Sequence, residues 1–188
     1  MQLNSVVLAF DTSAAHCAAV VLSGDCADYQ VEAMAKGQAE RLVPMIDELL
    51  ATAEVAWADI DLIAVGTGPG NFTGIRIAVA FARGLALGLG IPAVGVTGFE
   101  VLGDDTAASI PAPRGQVYLK SPGQAPEIVD SEPPGVRRLA DIDLPAFVMK
   151  LARVARAKAA TPQPRPAPFY LREADAAPPS DPPPVILP

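Results

Sequence analysis

Histidine occurs once in this chain of 188 residues, at His16, and cysteine twice, at Cys17 and Cys26. A closed zinc site takes four protein ligands and a catalytic one three, so this supply predicts no metal centre. A Ser-His-Asp arrangement fails on the same ground, because the sole histidine falls in an amino-terminal hairpin with no nucleophile signature elsewhere. Basic residues are also short: 14 Lys and Arg stand against 21 Asp and Glu, for a net charge of −7. Phosphate neutralisation needs clustered cations, which argues against the chain holding nucleic acid by itself. A secretory leader is not expected, since Met1-Gln2-Leu3-Asn4-Ser5 lacks a basic region and the apolar run behind it is only Val6–Phe10. The long apolar stretch from Ile75 to Val96 is glycine-rich and interrupted by Arg83 and Pro92, so no membrane span is read from it. The expectation is a cytoplasmic protein whose two thiols stay reduced and partly buried.

What the chain has in concentrated form is glycine, between Leu62 and Leu89. Leu62-Ile63-Ala64-Val65 reads as a buried strand, and Gly66, Gly68, Gly70 and Gly74 follow with Pro69 among them. Such spacing suits a tight strand-to-helix crossing with close backbone approach. Asn71 and Thr73 can cap the next helix, predicted over Thr73–Leu89. Its only charges, Arg76 and Arg83, share one face. Ala78, Ala82 and Ala86 recur at spacing four, as do Ala80, Gly84 and Gly88. A helix apolar nearly all round must be covered on more than one side. One side can lie on the protein's own sheet, and small residues admit another helix on the other. The stretch therefore predicts a helix-mediated subunit contact, with Thr73, Gly74, Arg76, Ala78, Ala80, Ala82, Arg83, Leu85 and Ala86 as its candidate residues.

In chain order, Val6–Phe10 and Cys17–Leu22 read as strands joined by the Asp11-Thr12-Ser13 turn chemistry, with a third strand over about 28–35. Short turns between them require an antiparallel meander. Leu42, Met45, Ile46, Leu49 and Ala53 mark a helix from Gln38, with Pro44 as an objection or a kink. After the glycine stretch come a strand at Ile91–Val96 and a helix opening near Thr97 or Gly98. The order βββαβαβα implies a mixed α/β sheet with helices on both faces. Residues 1–102 form the first domain on this reading. Residues 103–188, with 17 of the 20 prolines from Pro111 onward, form a reduced second lobe that must pack on the first. There Val117–Lys120 reads as a strand, Asp143 as the cap of a helix from Leu144 to about Ala160, Phe169–Arg172 as a brief ordered patch, and Pro178–Pro188 as loose.

Two readings stand for the glycine loop: tight packing, or contact with a phosphate at a helix N-terminus. It is neither a Walker loop nor a dinucleotide fingerprint. Asp11, Thr12 and Ser13 can be ordinary turn residues or a carboxylate and hydroxyls near a nucleotide, together with Gly68 and Gly70. His16 reads as a surface or packing residue, and Arg76 and Arg83 as solvent or rim contacts. A stand-alone nucleotide-binding phosphotransferase is the alternative that Asp11 and the glycine loop leave open.

Taken together, Leu8-Ala9-Phe10-Asp11-Thr12-Ser13, Glu40-Arg41-Leu42-Val43-Pro44-Met45-Ile46 and Gly66-Thr67-Gly68-Pro69-Gly70-Asn71-Phe72-Thr73-Gly74-Ile75-Arg76 resemble the TsaB (YeaZ) family of inactive glycoprotease-like proteins. Pro92–Val96, Gly115-Gln116-Val117-Tyr118 and Pro168–Arg172 add to the resemblance, which is dense over residues 6–102 and patchy beyond. It implies an actin-like, ribonuclease-H-like ASKHA fold. It also implies a non-catalytic subunit that pairs with TsaD, and works with TsaE and TsaC, in threonylcarbamoylating the adenosine beside the anticodon of tRNAs reading codons that begin with A. No intrinsic cofactor is implied; ATP or ADP would lie at a composite interface, tRNA would be met only through the complex, and the chain alone would form a homodimer. Many members carry His-Ser or His-Thr where Gln38-Ala39 stands here, and the second lobe is shorter than usual.

Overall fold

The computed structural model describes residues 5–171; Met1–Asn4, Arg172 and the loose stretch expected over Pro178–Pro188 lie outside it. Strands β1 (Val6–Asp11), β2 (His16–Ser23) and β3 (Cys26–Ala33) form the expected antiparallel meander, and β4 (Leu62–Gly66) and β5 (Ala93–Val96) extend it in parallel in the order β3-β2-β1-β4-β5. The period of two in β1 assigns its side chains to two cores. Leu8 and Phe10 face helices α1 (Gln38–Thr52) and α2 (Phe72–Leu89). Val7 and Ala9 face α4 (Leu144–Lys158) on the opposite side. Being buried on both faces, β1 and β4 read as continuous apolar runs.

Pro44 lies within α1 and is exposed, so its missing N–H falls on the solvent side while Leu42, Met45, Ile46 and Leu49 face the sheet. Helix α2 starts one residue earlier than expected. Asn71 is its N-cap, its Oδ1 accepting the Gly74 N–H at 2.9 Å, so Thr73 sits inside the helix. By length and hydropathy α2 could cross a bilayer, but Ile75, Ala78, Val79 and Ala82 pack into the sheet's core, as in a core helix. Strand β5 begins after Pro92, which has no N–H for a ladder. A capping box between Thr97 and Glu100 opens the short α3 (Gly98–Leu102).

Beyond α3 a second sheet, β8-β7-β6-β9, is built from β6 (Ala108–Pro111), β7 (Val117–Lys120), β8 (Glu127–Val129) and β9 (Arg137–Arg138). It carries a small core of Phe99, Leu102, Ala108, Ile110 and Tyr118. The chain then returns. Asp143 caps α4 by accepting the Ala146 N–H at 2.8 Å, and Phe147, Val148, Leu151, Ala152 and Ala155 cover the first sheet's second face. Lys158 Nζ meets Glu100 of α3 at 2.5 Å, and Arg156 donates to the Gly24 carbonyl at 2.8 Å. Cys17 is buried, as expected, and burial pushes its thiol up to about 11. Cys26 departs from the expectation: it is exposed, because it opens an edge strand beside the Gly24 turn.

Candidate functional site

A cleft of about 1010 Å³ opens where the β1–β2 turn, the start of α2, the second sheet and the segment after α4 converge. Five aromatic side chains line it: Phe72, Tyr118, Phe147, Phe169 and Tyr170. The chain has six Phe, three Tyr and one Trp, so half of its aromatic supply is spent on this one surface. Phe72 and Tyr170 stack at 4.5 Å between centroids. The Arg76 guanidinium lies over Phe72 at 3.6 Å and its Nε donates to the Tyr170 hydroxyl at 2.9 Å. Such a cation over a ring is worth roughly 0.5–2 kcal/mol depending on desolvation. The Phe169 N–H donates to the Thr67 carbonyl at 2.8 Å, which fixes the carboxyl-side segment against the glycine loop.

Behind the cleft stands a polar cluster. Asp11 is 1% exposed, and its Oδ1 accepts from the Ser13 N–H at 2.9 Å and the Ser13 hydroxyl at 2.8 Å, and meets His16 Nε2 at 2.7 Å. His16 is buried, packs edge-on to Phe147 at 6.4 Å, and lines the cleft. Of the two readings of His16, surface or packing, the structure has the second: it is buried against Phe147 and is an internal partner of Asp11. The hairpin register carries that signal. Asp11 pairs with Ala18 across the ladder, so His16, two residues along β2, lies on the same face one step further. Tyr170 and Phe147 were beyond sequence reasoning, because nothing local says that residues this distant share a wall.

The glycine loop spends its space on the chain itself. A Cβ on Gly74 would stand 1.8 Å from the Thr12 carbonyl oxygen, one on Gly70 2.2 Å from the Ser13 carbonyl oxygen, and one on Gly66 1.8 Å from Asp11 Oδ2. The Thr12 hydroxyl donates to the Gly74 carbonyl at 2.6 Å, and the Asn71 N–H donates to the Ser13 carbonyl at 2.6 Å. The β1–β2 turn and the loop before α2 thus press together. A nucleotide at this place, the reading that Asp11 and the glycine loop left open, would need room and unspent donors for its phosphates. Asp11 Oδ1 and the Thr12 and Ser13 hydroxyls are committed inward, Asp11 Oδ2 is buried without a hydrogen-bond partner and, as an acceptor, offers a phosphate nothing, and Gly70 and Gly74 are filled by backbone, so these residues do not fit a polyphosphate by themselves. Gly68, at φ +95, lies buried beneath the loop. Among the described residues no three His, Cys, Asp or Glu side chains gather to hold a metal ion.

The candidate partner residues on α2 divide by face. Gly74, Ala78 and Ala82 are buried against the protein's own sheet and turn, so they are corrected out of any contact surface. Leu85 and Ala86 are half-buried, while Thr73, Arg76, Ala80 and Arg83 are exposed, Arg76 being held by Phe72 and Tyr170. Gly84, Leu87 and Gly88, two of them from the second small stripe, complete the outward face.

Comparison with known proteins places this geometry. The family described as TsaD, tRNA N6-adenosine threonylcarbamoyltransferase, matches residues 32–118. The "tRNA threonylcarbamoyladenosine biosynthesis protein TsaB" of Escherichia coli K12 is 31% identical over 121 residues, which cover 60% of this chain and 52% of that protein. An uncharacterized Mycobacterium bovis protein is 36% identical over 146 residues, 74% of this chain and 68% of that one. The solved structure of YeaZ from Pseudomonas aeruginosa superposes with a TM-score of 0.74, covering 89% of this chain and all of that one, at 24% identity, and so shares the fold. The chain spans about half the length of the curated TsaB relatives it matches. With the fold of YeaZ, a TsaD-family match over residues 32–118 and TsaB relatives about 31% identical over about half of their length, this chain belongs to the TsaB (YeaZ) family.

Proposed function

We propose that this chain is the non-catalytic partner subunit of a tRNA threonylcarbamoyl transferase, acting in the biosynthesis of tRNA threonylcarbamoyladenosine. It pairs with TsaD, and works with TsaE and TsaC, in placing the threonylcarbamoyl group on the adenosine beside the anticodon of tRNAs that read codons beginning with A. The observation that carries the reading is the outward stripe of α2. Ala80, Gly84, Leu87 and Gly88 are exposed, Leu87 by 84%, and no acidic residue lies on the helix. An uncovered helix face of small and apolar residues is what a second helix needs for close approach. Without a partner the same stripe pairs two copies of this chain. The inward commitment of the Thr12 and Ser13 hydroxyls supports a subunit that supplies surface rather than chemistry. Nucleotide, where ATP or ADP is involved, then sits at the shared surface with its phosphates held by the partner. A net charge of −7 keeps tRNA contact with the partner as well.

Reconstitution tests this. Omitting the chain from a mixture of TsaC, TsaD, TsaE, ATP, threonine, bicarbonate and tRNA should abolish or greatly reduce modification. Supplying it without TsaD should restore none. Modified nucleoside detected by mass spectrometry in the second mixture would overturn the reading.

A further inference from the structure

Given the self-pairing through α2, on which this step rests, we infer that Arg83 of one copy is met by Asp47 on α1 of the second copy, and Arg76 by Glu40 of the same helix. Helix α2 carries two cations and no anion. Arg76 is held by Phe72 and the Tyr170 hydroxyl. Arg83 is exposed and has no hydrogen bond or ion pair among the described residues. A contact of α2 with α2 alone would gather the guanidinium groups of both copies with no carboxylate between them, and like charges set against each other disfavour pairing. The anions must come from another element.

Helix α1 has them at the same spacing. Glu40 and Asp47 are seven residues apart, as Arg76 and Arg83 are, so each pair spans about 10.5 Å along its helix. Both carboxylates are exposed. Glu40 has no ion pair among the described residues, and Asp47 accepts the Trp57 indole N–H at 3.1 Å. Arg41 and Glu48, by contrast, are bound to each other and to Glu32 and Gln30 of β3, on the other flank of α1. Between the charges stands apolar or small surface, Val43 on α1 and Ala80 on α2, with Leu87 one turn beyond. Val43 and Leu87 are two of the four large hydrophobic side chains exposed among the described residues.

Direction follows from the sheet. Strands β3, β4 and β5 run the same way, so α1 and α2, which return from β3 to β4 and from β4 to β5, run the same way as each other. A two-fold axis parallel to α2, across its exposed stripe, preserves helix direction and carries the second copy's α1 to the far flank of the first copy's α2. Arg83 lies on that flank, beside the groove with Ala93 of β5 and Pro162. Ile77, Phe81 and Leu85 close the opposite flank against the core shared with α1. The parallel register then sets Glu40 by Arg76 and Asp47 by Arg83, each contact made twice by symmetry.

The test uses the full chain without TsaD, followed by sedimentation equilibrium over a range of concentrations. Both positions are exposed, so neither change touches the core. Arg83→Glu and Asp47→Arg should each raise the dimer Kd by about tenfold or more, because each sets like charges against each other at two symmetric contacts. Mixed in equal amounts, the two variants should pair with each other at about the parental Kd, since both contacts of the mixed dimer join opposite charges again. Carrying both substitutions in one chain should restore self-pairing in the same way. Rescue on mixing cannot come from a contact within one chain, nor from a chain that has lost its fold. Variants that pair as the parent does, or that stay weakened when mixed, would overturn the inference and leave pairing through α2 standing. Rescue of Arg83→Glu by Glu40→Arg in place of Asp47→Arg would overturn the parallel register. A parent chain that is monomeric at every concentration would overturn the inference together with self-pairing. Capture of TsaD is a separate measurement that none of these outcomes touches.

Discussion

The glycines of the α2 region separate into two kinds at the scale of single atoms. Gly74 is required because the Thr12 carbonyl oxygen occupies the place of its Cβ, whereas Gly84 and Gly88 have nothing within 4 Å. Sequence alone could not tell them apart. Both readings of the loop, packing and phosphate contact, call for glycine, and only the position of the β1–β2 turn shows which atoms press on it. Gly74→Ala should therefore destabilise the protein by about 3 kcal/mol or more, since backbone rather than a movable side chain must give way. Gly84→Ala should stabilise by up to about 1 kcal/mol, because alanine replaces glycine in an open helix interior. Urea unfolding of both variants checks the pair. A Gly74→Ala protein as stable as the parent would mean that the turn and the loop are not pressed together as described. The Glu48 carboxylate is a milder case of local control. Hydrogen bonds from Arg41 and then Gln30 hold it down at about 2, while Arg41 also grips Glu32 at 2.5 Å. These groups are largely solvent-exposed, and such pairs contribute little to stability.

Helix α2 shows what periodicity can and cannot deliver at the scale of an element. Its existence, a start placed at Thr73 within one residue of Phe72, and its end at Leu89 were legible, because the capping chemistry of Asn71 and the apolar run are local signals. Which stripe of small residues faces outward was not, because a helix apolar on all sides has no polar face to orient it. The sheet decides: Ile75, Ala78, Val79 and Ala82 fill its core, and Ala80, Gly84 and Leu87 are left outside. The two alanines thus make opposite predictions. Ala80→Arg should change stability by no more than about 0.5 kcal/mol and remove both self-association and capture of TsaD. Ala82→Arg should instead cost roughly 4 kcal/mol or more, since it buries an unpaired guanidinium in the main core. Light scattering and thermal unfolding on the two proteins distinguish these outcomes. A folded Ala82→Arg chain, or an Ala80→Arg chain that still pairs, would put the contact elsewhere.

Across the whole molecule, the decisive event is the return of α4. The proline-rich composition after residue 103 reads as a reduced lobe, yet its longest helix lies on the first sheet, where Phe147, Val148, Leu151, Ala152 and Ala155 meet Val7, Ala9, Val20 and Ala64. The sequence signalled the helix through its Asp143 cap and its apolar spacing, but not its address, since a contact between residues 7 and 151 leaves no local trace. Without α4 the second face of β1, β2 and β4 would be bare, although those strands are apolar on both sides. The second sheet is in turn anchored to α3 through Phe99 and Leu102, and α3 to α4 through Glu100 and Lys158. Stability should therefore be shared rather than divided at residue 103. Leu151 is wholly buried in the layer between α4 and the sheet, so Leu151→Ala should cost about 2–5 kcal/mol. The informative readout is how the loss is distributed. If α4 and the first sheet form one cooperative unit, Trp57 fluorescence, which reports on the α1 side of the sheet, and far-ultraviolet circular dichroism should shift to lower urea together, with a single transition in each. A fluorescence midpoint that stays at its parental value while part of the dichroism is lost early would show that α4 detaches by itself and that the first sheet stands without it.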